Sequence, residues 1–336
     1  MPQTKHKNKI GIITSVVASC LFFAFAIFLV LNKQEIIDQI TVWRFESTTE
    51  INQLVQRAGM NERGLFMFQA SQPILFLPDD SDDFNIACDR IESTTAILGC
   101  YSNSRIYVYG VTDKQLDGIR EVTATHETLH AVYARLSYGE KNRLNKLIED
   151  EYIKLKDEKD FVETMAFYAR TEPGQRDNEL FSIIGTEVSS ISPKLEEFYS
   201  KYFIDRQKVV VLNSNYSTVF QTLKDRANEL SEQLTSLSSI ISTDKALYEN
   251  SIQQLNTDIT TFNYKANNGG FSSQTQFNNE RYALFGRAAD LEATRANINA
   301  NISKYELVLN EYNLNAAESK KLYTVIDSKL DPVPSI

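Results

Sequence analysis

The sequence predicts an α+β protein in three parts: an N-terminal transmembrane helix, a small domain of helices plus a short mixed sheet, and a C-terminal antiparallel α-helical coiled-coil hairpin. Three observations carry this expectation. Residues 10–31 form 22 consecutive positions without a charge. Residues 40–210 mix strand-like and helical periodicities. Beyond residue 210 glycine and proline almost vanish and the apolar residues fall into heptads.

The uncharged run, IGIITSVVASCLFFAFAIFLVL, spans roughly 33 Å as a helix at 1.5 Å per residue, enough to cross a bilayer. Lys5, Lys7 and Lys9 precede it, whereas Glu35 and Asp38 lie on the other flank. The positive-inside rule therefore makes residues 1–9 a cytoplasmic tail and puts everything after about residue 33 outside the cytoplasm. The run exceeds the apolar stretch of a signal peptide, and no small-residue cut site precedes Asn32, so an uncleaved, single-pass anchor in the cell membrane is expected. On the outer side thiols oxidise. Cys88 and Cys100 close a 13-residue loop and are expected to pair, restricting the unfolded chain by about 3 kcal/mol.

Composition excludes other classes. With 42% hydrophobic and 24% charged residues the chain is a folding one, not a disordered one. Its 35 basic against 44 acidic residues leave a net charge of −9, and no basic stripe offers itself to a phosphate backbone, so nucleic acid is not an expected partner.

Within residues 40–210 an amphipathic helix is expected over about 42–58, from Val42, Phe45, Ile51, Leu54 and Val55. RGLFMFQASQPILFLP then reads as a strand region closed by Pro73 and Pro78. The run Asp79, Asp80, Ser81, Asp82, Asp83 lacks the Gly and Glu positions of an EF-hand loop and reads as a solvated acidic turn. Strands are expected at 95–98 and at 105–109, RIYVY, followed by a helix over about 114–136. After residue 214 one seam runs through Tyr216, Phe220, Leu223, Ala227, Leu230, Leu234, Leu237 and Ile241, and on to Phe262. NNGGFSSQTQ interrupts it in a loop at about 265–278. A second seam then runs from Leu284 through Ile298, Ile302, Tyr305, Leu309 and Tyr312 to Leu330, with Pro332 and Pro334 closing the hairpin.

Chemistry concentrates in His126-Glu127-Thr128-Leu129-His130. Residues four apart on a helix share a face, so the two imidazoles can hold one zinc ion, while Glu127 is turned toward the position of a water on that ion. The chain has three histidines, and the third, His6, precedes the anchor. No further imidazole is available, so the third ligand must be a carboxylate: Glu163, Glu179 and Glu187 are the candidates. Oxyanion stabilisation falls to a Tyr or Arg, with Tyr168, Tyr199 and Tyr202 as tyrosine candidates beside Arg170 and Arg176.

HETLH resembles the zinc-binding helix of the gluzincin metallopeptidases. Asn178-Glu179-Leu180-Phe181-Ser182 resembles the Asn-Glu-x-x-Ser stretch of the thermolysin-like members, and the longer passage NELFSIIGTEV…SPKLEEFYSKYF is similar to the anthrax lethal-factor-like group. The resemblance spans roughly residues 100–205. It implies a zincin-like fold, one zinc per chain, Glu179 as third ligand and Glu127 as general base for a zinc-bound water attacking a peptide bond. It departs at Ile183, where thermolysin-like members carry an Asp that orients a ligand histidine. A membrane-anchored extracytoplasmic metalloendopeptidase with a peptide or protein substrate is thus the expected function, RIYVY serving as the exposed edge to which substrate adds. The alternative is a non-catalytic surface scaffold acting through its hairpin, by self-association or partner binding. Peptidoglycan hydrolysis shares the metal chemistry, but no wall-binding repeat is recognisable.

Overall fold

The computed structural model describes residues 5–88 and 96–328, and side chains from Thr14 onward. Helices dominate, and one small mixed sheet makes the class α+β. The chain divides into two compact units, residues 1–219 with 322–336 and residues 220–321.

In the first unit α1 (Lys5–Leu31) contains the apolar run. All but one of its described side chains, Phe22, Phe23, Phe25 and Phe28 among them, are exposed, and its 18-residue core of mean hydropathy 2.5 is long and apolar enough to cross a membrane. α2 (Lys33–Arg44) follows after Asn32. The single helix expected over 42–58 is two: Phe45 leaves the helix in extended backbone, and Thr48 caps a new one, α3 (Thr49–Arg57), by accepting the Ile51 N–H. That Ser47-Thr48 start signal breaks a continuous apolar pattern.

The strand region expected next is also largely a helix. Asn61 accepts the N–H groups of Arg63 and Gly64 and so starts α4 (Glu62–Ala70), which buries Gly64, Met67 and Phe68 at helical spacing. Only β1 (Ile74–Leu75) remains extended. The acidic run forms one 3-10 turn, Pro78–Asp80, and enters α5 (Ser81–Ala87) with Asp82 and Asp83 in its first turn, where the helix dipole favours them.

The strand expected at 95–98 lies at β2 (Gly99–Ser102); Thr95 is outside the described residues. β3 (Arg105–Val108) matches RIYVY, burying Ile106 and Val108. Asn103 and Ser104, both at positive φ, make the two-residue turn between them, and Tyr101 pairs with Ile106. β1 joins β3 in parallel, giving the order β1-β3-β2. β3 is therefore central, and the expectation that RIYVY is an exposed edge is overturned: β1 and β2 are the edges, and β2 is the one beside the cleft. Cys88 and Cys100 form the disulfide.

A 3-10 turn, Lys114–Leu116, precedes α6 (Ile119–Arg135), which starts at Gly118 rather than near residue 114. Gly118 has φ +97°, a conformation that L side chains rarely adopt. α6 is buried along most of its length and runs through the unit's core. α7 (Tyr138–Leu155), opened by a Ser137/Glu140 capping box, α8 (Lys159–Thr171), α9 (Arg176–Glu187) and α10 (Pro193–Tyr199) complete the domain. α6 and α9 meet at Gly185, where a Cβ would come within 2.4 Å of Leu129 Cδ1.

α11 (Gln207–Asn267) and α12 (Gln274–Ile326) are the two long helices. The start of α11 belongs to the first unit: Val209 and Val210 join its core and Gly118 abuts Leu212, so the domain extends past residue 210 to about 219. Leu322 returns to this unit, and Asn85 and Ser328 exchange two hydrogen bonds. In the second unit Leu230, Leu237 and Val308 form a small core with Leu234, Tyr305 and Tyr312. Val308 takes the seam place expected of Leu309, which lies exposed. Between the helices Gly269, at φ +68°, turns the chain, and Phe262, Phe271 and Phe277 cluster with ring centroids 5.1–5.2 Å apart. Leu330, Pro332 and Pro334 lie outside the described residues.

One ion pair ties α2 to α6. Arg135 donates from Nε and Nη2 to the two carboxylate oxygens of Asp38 at 2.8 and 3.0 Å, and from Nη1 to the Tyr101 hydroxyl and the Ala131 carbonyl. Both ionic side chains are at least nine-tenths buried. Asp38→Ala leaves a buried guanidinium unpaired and is expected to cost about 3–5 kcal/mol, whereas Asp38→Ala combined with Arg135→Met costs less. Thermal unfolding of the detergent-solubilised chain checks this; equal losses in the single and double variants would show that the charge pair is not what matters.

Candidate metal centre

α6 and α9 bring together His126, His130 and Glu179, all buried, with one potential ligand atom from each lying within 4.8 Å of the others. The four-residue spacing on α6 stacks the imidazoles, 4.7 Å between centroids, edge to face. Glu179, in the first turn of α9, reaches both: Oε2 is 3.4 Å from His126 Nε2 and Oε1 is 3.3 Å from His130 Nε2. Each histidine is held from behind. Ser182 Oγ lies 3.2 Å from His130 Nδ1, and the Tyr168 ring stacks on His126 at 6.1 Å.

Burial decides the protonation of this group. It pulls His126 down to about 4 and, with the neighbouring His126 as a further cause, His130 also to about 4, so both imidazoles are neutral at pH 7. Their contacts with Glu179 are then not ion pairs. Glu179 is pushed up from the usual carboxylate range by burial, and its Oε2 has no hydrogen-bond partner. Two neutral imidazole acceptors facing an unpartnered buried carboxylate suit a divalent cation, which supplies the charge that the pocket lacks. The donor set, two nitrogens and one oxygen, fits zinc.

Glu127 is buried beside the triad, its carboxyl raised well above the ordinary range by burial first, then by the charges of Glu179 and Glu172. A cleft of about 680 Å³ opens over these residues. Residues 96–101 form one wall. β2 lies close against α6 because residue 99 is glycine: a Cβ there would meet Thr123 Cγ2 at 2.5 Å and Glu127 Cγ at 3.1 Å.

The other expected site residues separate. Glu163 is exposed beside Lys159 and lies outside the group that could hold a metal ion. Glu187 is not within the ligand group but lines the cleft. Tyr168 also lines the cleft, and burial raises its phenol well above the ordinary value. Tyr199 is instead a core residue, its hydroxyl donating to the Phe181 carbonyl at 2.6 Å, and Tyr202 packs on Phe198; neither lines the cleft. Arg176 pairs with Glu149, and Arg170 donates to the Ala166 carbonyl, also outside it.

Two residues escape the sequence reading. Ser182 supplies the orienting contact whose absence at Ile183 the resemblance pointed out; its polar stripe with Glu179 and Thr186 was the available signal. Tyr216 lines the cleft although its heptad position marks it as coiled coil.

Fold and site together define an α+β domain with a buried His₂Glu group able to hold a metal ion, behind an apolar helix long enough to cross a membrane. No family model, curated protein or solved structure matches the chain.

Zinc is expected to raise the melting temperature of the wild-type chain, by mass action on the folded state, and to leave His126→Ala and Glu179→Ala unaffected. The sign with pH follows from the lowered imidazoles. Protons compete for them only as pH falls toward 4, whereas exposed histidines titrate near 6.5. The zinc-dependent gain should therefore persist at pH 6 and shrink as pH falls to 4 and below, as calorimetric scans would show.

Proposed function

We propose that the protein is a membrane-anchored zinc metalloendopeptidase acting outside the cytoplasm on a peptide or protein. The observation that carries this reading is the buried His126–His130–Glu179 group with an unpartnered Glu179 oxygen, adjoining Glu127 at the floor of an open cleft. Zinc held by these three residues supplies Lewis acidity, polarising a carbonyl and easing deprotonation of water.

The chain's own residues do the rest. Glu127 accepts the proton of the attacking water and returns it to the leaving amine. Its strongly raised carboxyl is suited to such exchange once a nearby cation offsets the burial that raises it. Tyr168, kept protonated by its surroundings, is a hydrogen-bond donor at neutral pH, and its being the one tyrosine of the three candidates that lines the cleft supports a role for it in stabilising a developing oxyanion. β2, the edge strand along the cleft, takes the role expected of RIYVY and offers its backbone to an extended substrate. The basic flank before the apolar helix supports a cytoplasmic N-terminus and an external site.

The scaffold reading draws support from a different place. Leu247, Leu307 and Leu314 are exposed on the second unit, positions suited to self-association or partner binding.

The test is cleavage of a peptide library by the full-length protein in detergent micelles. Glu127→Gln should keep zinc and lose about 10²–10⁴-fold in kcat; Tyr168→Phe should lose about 10²–10³-fold in kcat with zinc retained. Zinc binding without cleavage of any peptide would favour the scaffold. Labelling of the N-terminus by an impermeant reagent on intact cells would refute the orientation.

A further inference from the structure

The cleft is electrically lopsided. Among the described residues lining it, Lys141 is the single Lys or Arg, and its ammonium rests over the Tyr133 ring at 4.8 Å, beside Ala134 in the last turns of α6. The opposite end, where Gly118 at the start of α6 abuts Leu212, carries Tyr216, one turn along α11 from Leu212. Glu187 belongs to this second end. It is the last residue of α9 and lines the cleft, and its charge is felt by the phenols of Tyr168 and Tyr216.

Glu187 is exposed to solvent within the cleft that it lines. Among the described residues no lysine or arginine pairs with it. A cleft-lining carboxylate without a counter-cation, in a cleft that two tyrosines near it also line, matches a cationic side chain in charge. An ammonium or guanidinium can pair with the carboxylate and lie against the rings. Eight residues separate Glu187 from Glu179 on the same helix, about 12 Å of rise. An extended peptide covers that distance in three to four residues.

Resting on the peptidase reading, we propose that Glu187 is a specificity-determining residue, holding a lysine or arginine side chain of the substrate within four residues of the scissile bond. Tyr168 and Tyr216 form the walls of that subsite. The neighbouring Glu172 also lines the cleft and adds negative potential, but the position of the preferred residue is set by Glu187.

The experiment uses the zinc-loaded full-length protein and peptides of one sequence in which each position near the scissile bond is in turn lysine, norleucine or glutamate. One position is expected to favour lysine over norleucine at least tenfold in kcat/KM. Glu187→Gln should bring that ratio to within twofold, Glu187→Asp should restore it, and Glu187→Lys should invert it toward glutamate. A lysine preference unchanged in Glu187→Gln, or none in the wild type, overturns the proposal while cleavage itself upholds the peptidase reading. The same peptides are titrated calorimetrically into the Glu127→Gln protein. Binding that prefers lysine through Glu187, in a wild-type protein that cleaves nothing, would sink the peptidase reading and keep the cationic subsite. Absence of both binding and cleavage would overturn both.

Discussion

The close packing of α6 on α9 is the constraint on which the rest of the structure depends. Gly185 lets the two helices approach so nearly that Leu129 occupies the space a Cβ would need, and this sets Glu179 against two imidazoles in a site from which bulk water is largely excluded. Burying a carboxylate oxygen without a hydrogen bond costs several kcal/mol, whereas the two lowered imidazoles, already neutral at pH 7, cost the folded chain stability only as pH falls below about 6.5. The apolar surface around Leu180, Phe181, Ile183 and Ile184 offsets that cost. A group this unfavourable by itself is understandable as a preorganised receptor: a cation entering it meets ligands already desolvated, neutral where they must be, and aimed at one another.

The sequence made parts of this legible for identifiable reasons. His126 and His130 could be paired because helical spacing is local and periodic, and because histidine is so scarce that the alternatives were few. Glu179 could be singled out among the candidate carboxylates only by its polar stripe with Ser182 and Thr186 and by its resemblance to a known motif, since contact between α6 and α9 is a tertiary fact that no spacing encodes. Ser182 shows how chemistry can shift by a residue: a side chain one position from the expected Asp orients His130 instead. The first helices were misread where short polar signals compete with apolar pattern. Asn61 capping α4 and Thr48 capping α3 each redirect a stretch whose hydrophobicity alone reads otherwise. Tyr216 was hidden by continuity, for α11 has no break where it passes from the first unit to the second.

The sheet illustrates a different limit. RIYVY alternates as a half-buried strand should, and that alternation is indifferent to whether one neighbour or two flank it. Pairing with β1 in parallel on one side and β2 on the other makes it central, and the two-residue turn at Asn103-Ser104 leaves β2 outermost. Gly99 then matters more than any side chain on that strand, because its missing Cβ allows the edge to lie over Thr123 and Glu127. The edge and the acid–base candidate are thus positioned by one residue's lack of a side chain.

The Asp38–Arg135 pair extends the same logic toward the apolar helix. Arg135 follows His130 by five residues on α6, and its guanidinium also reaches the hydroxyl of Tyr101, a residue of β2 that lines the cleft. Asp38 lies on α2, which begins two residues after the apolar helix ends. The helix next to the apolar one is therefore a structural part of the site-bearing domain, joined through a charge that cannot be left unpaired without large cost. A soluble fragment begun at residue 40 would remove Asp38 and leave Arg135 buried beside Tyr101 with no carboxylate. One begun at Lys33 retains the pair, so the boundary of the folded domain is fixed electrostatically, several residues earlier than the apolar periodicity places it.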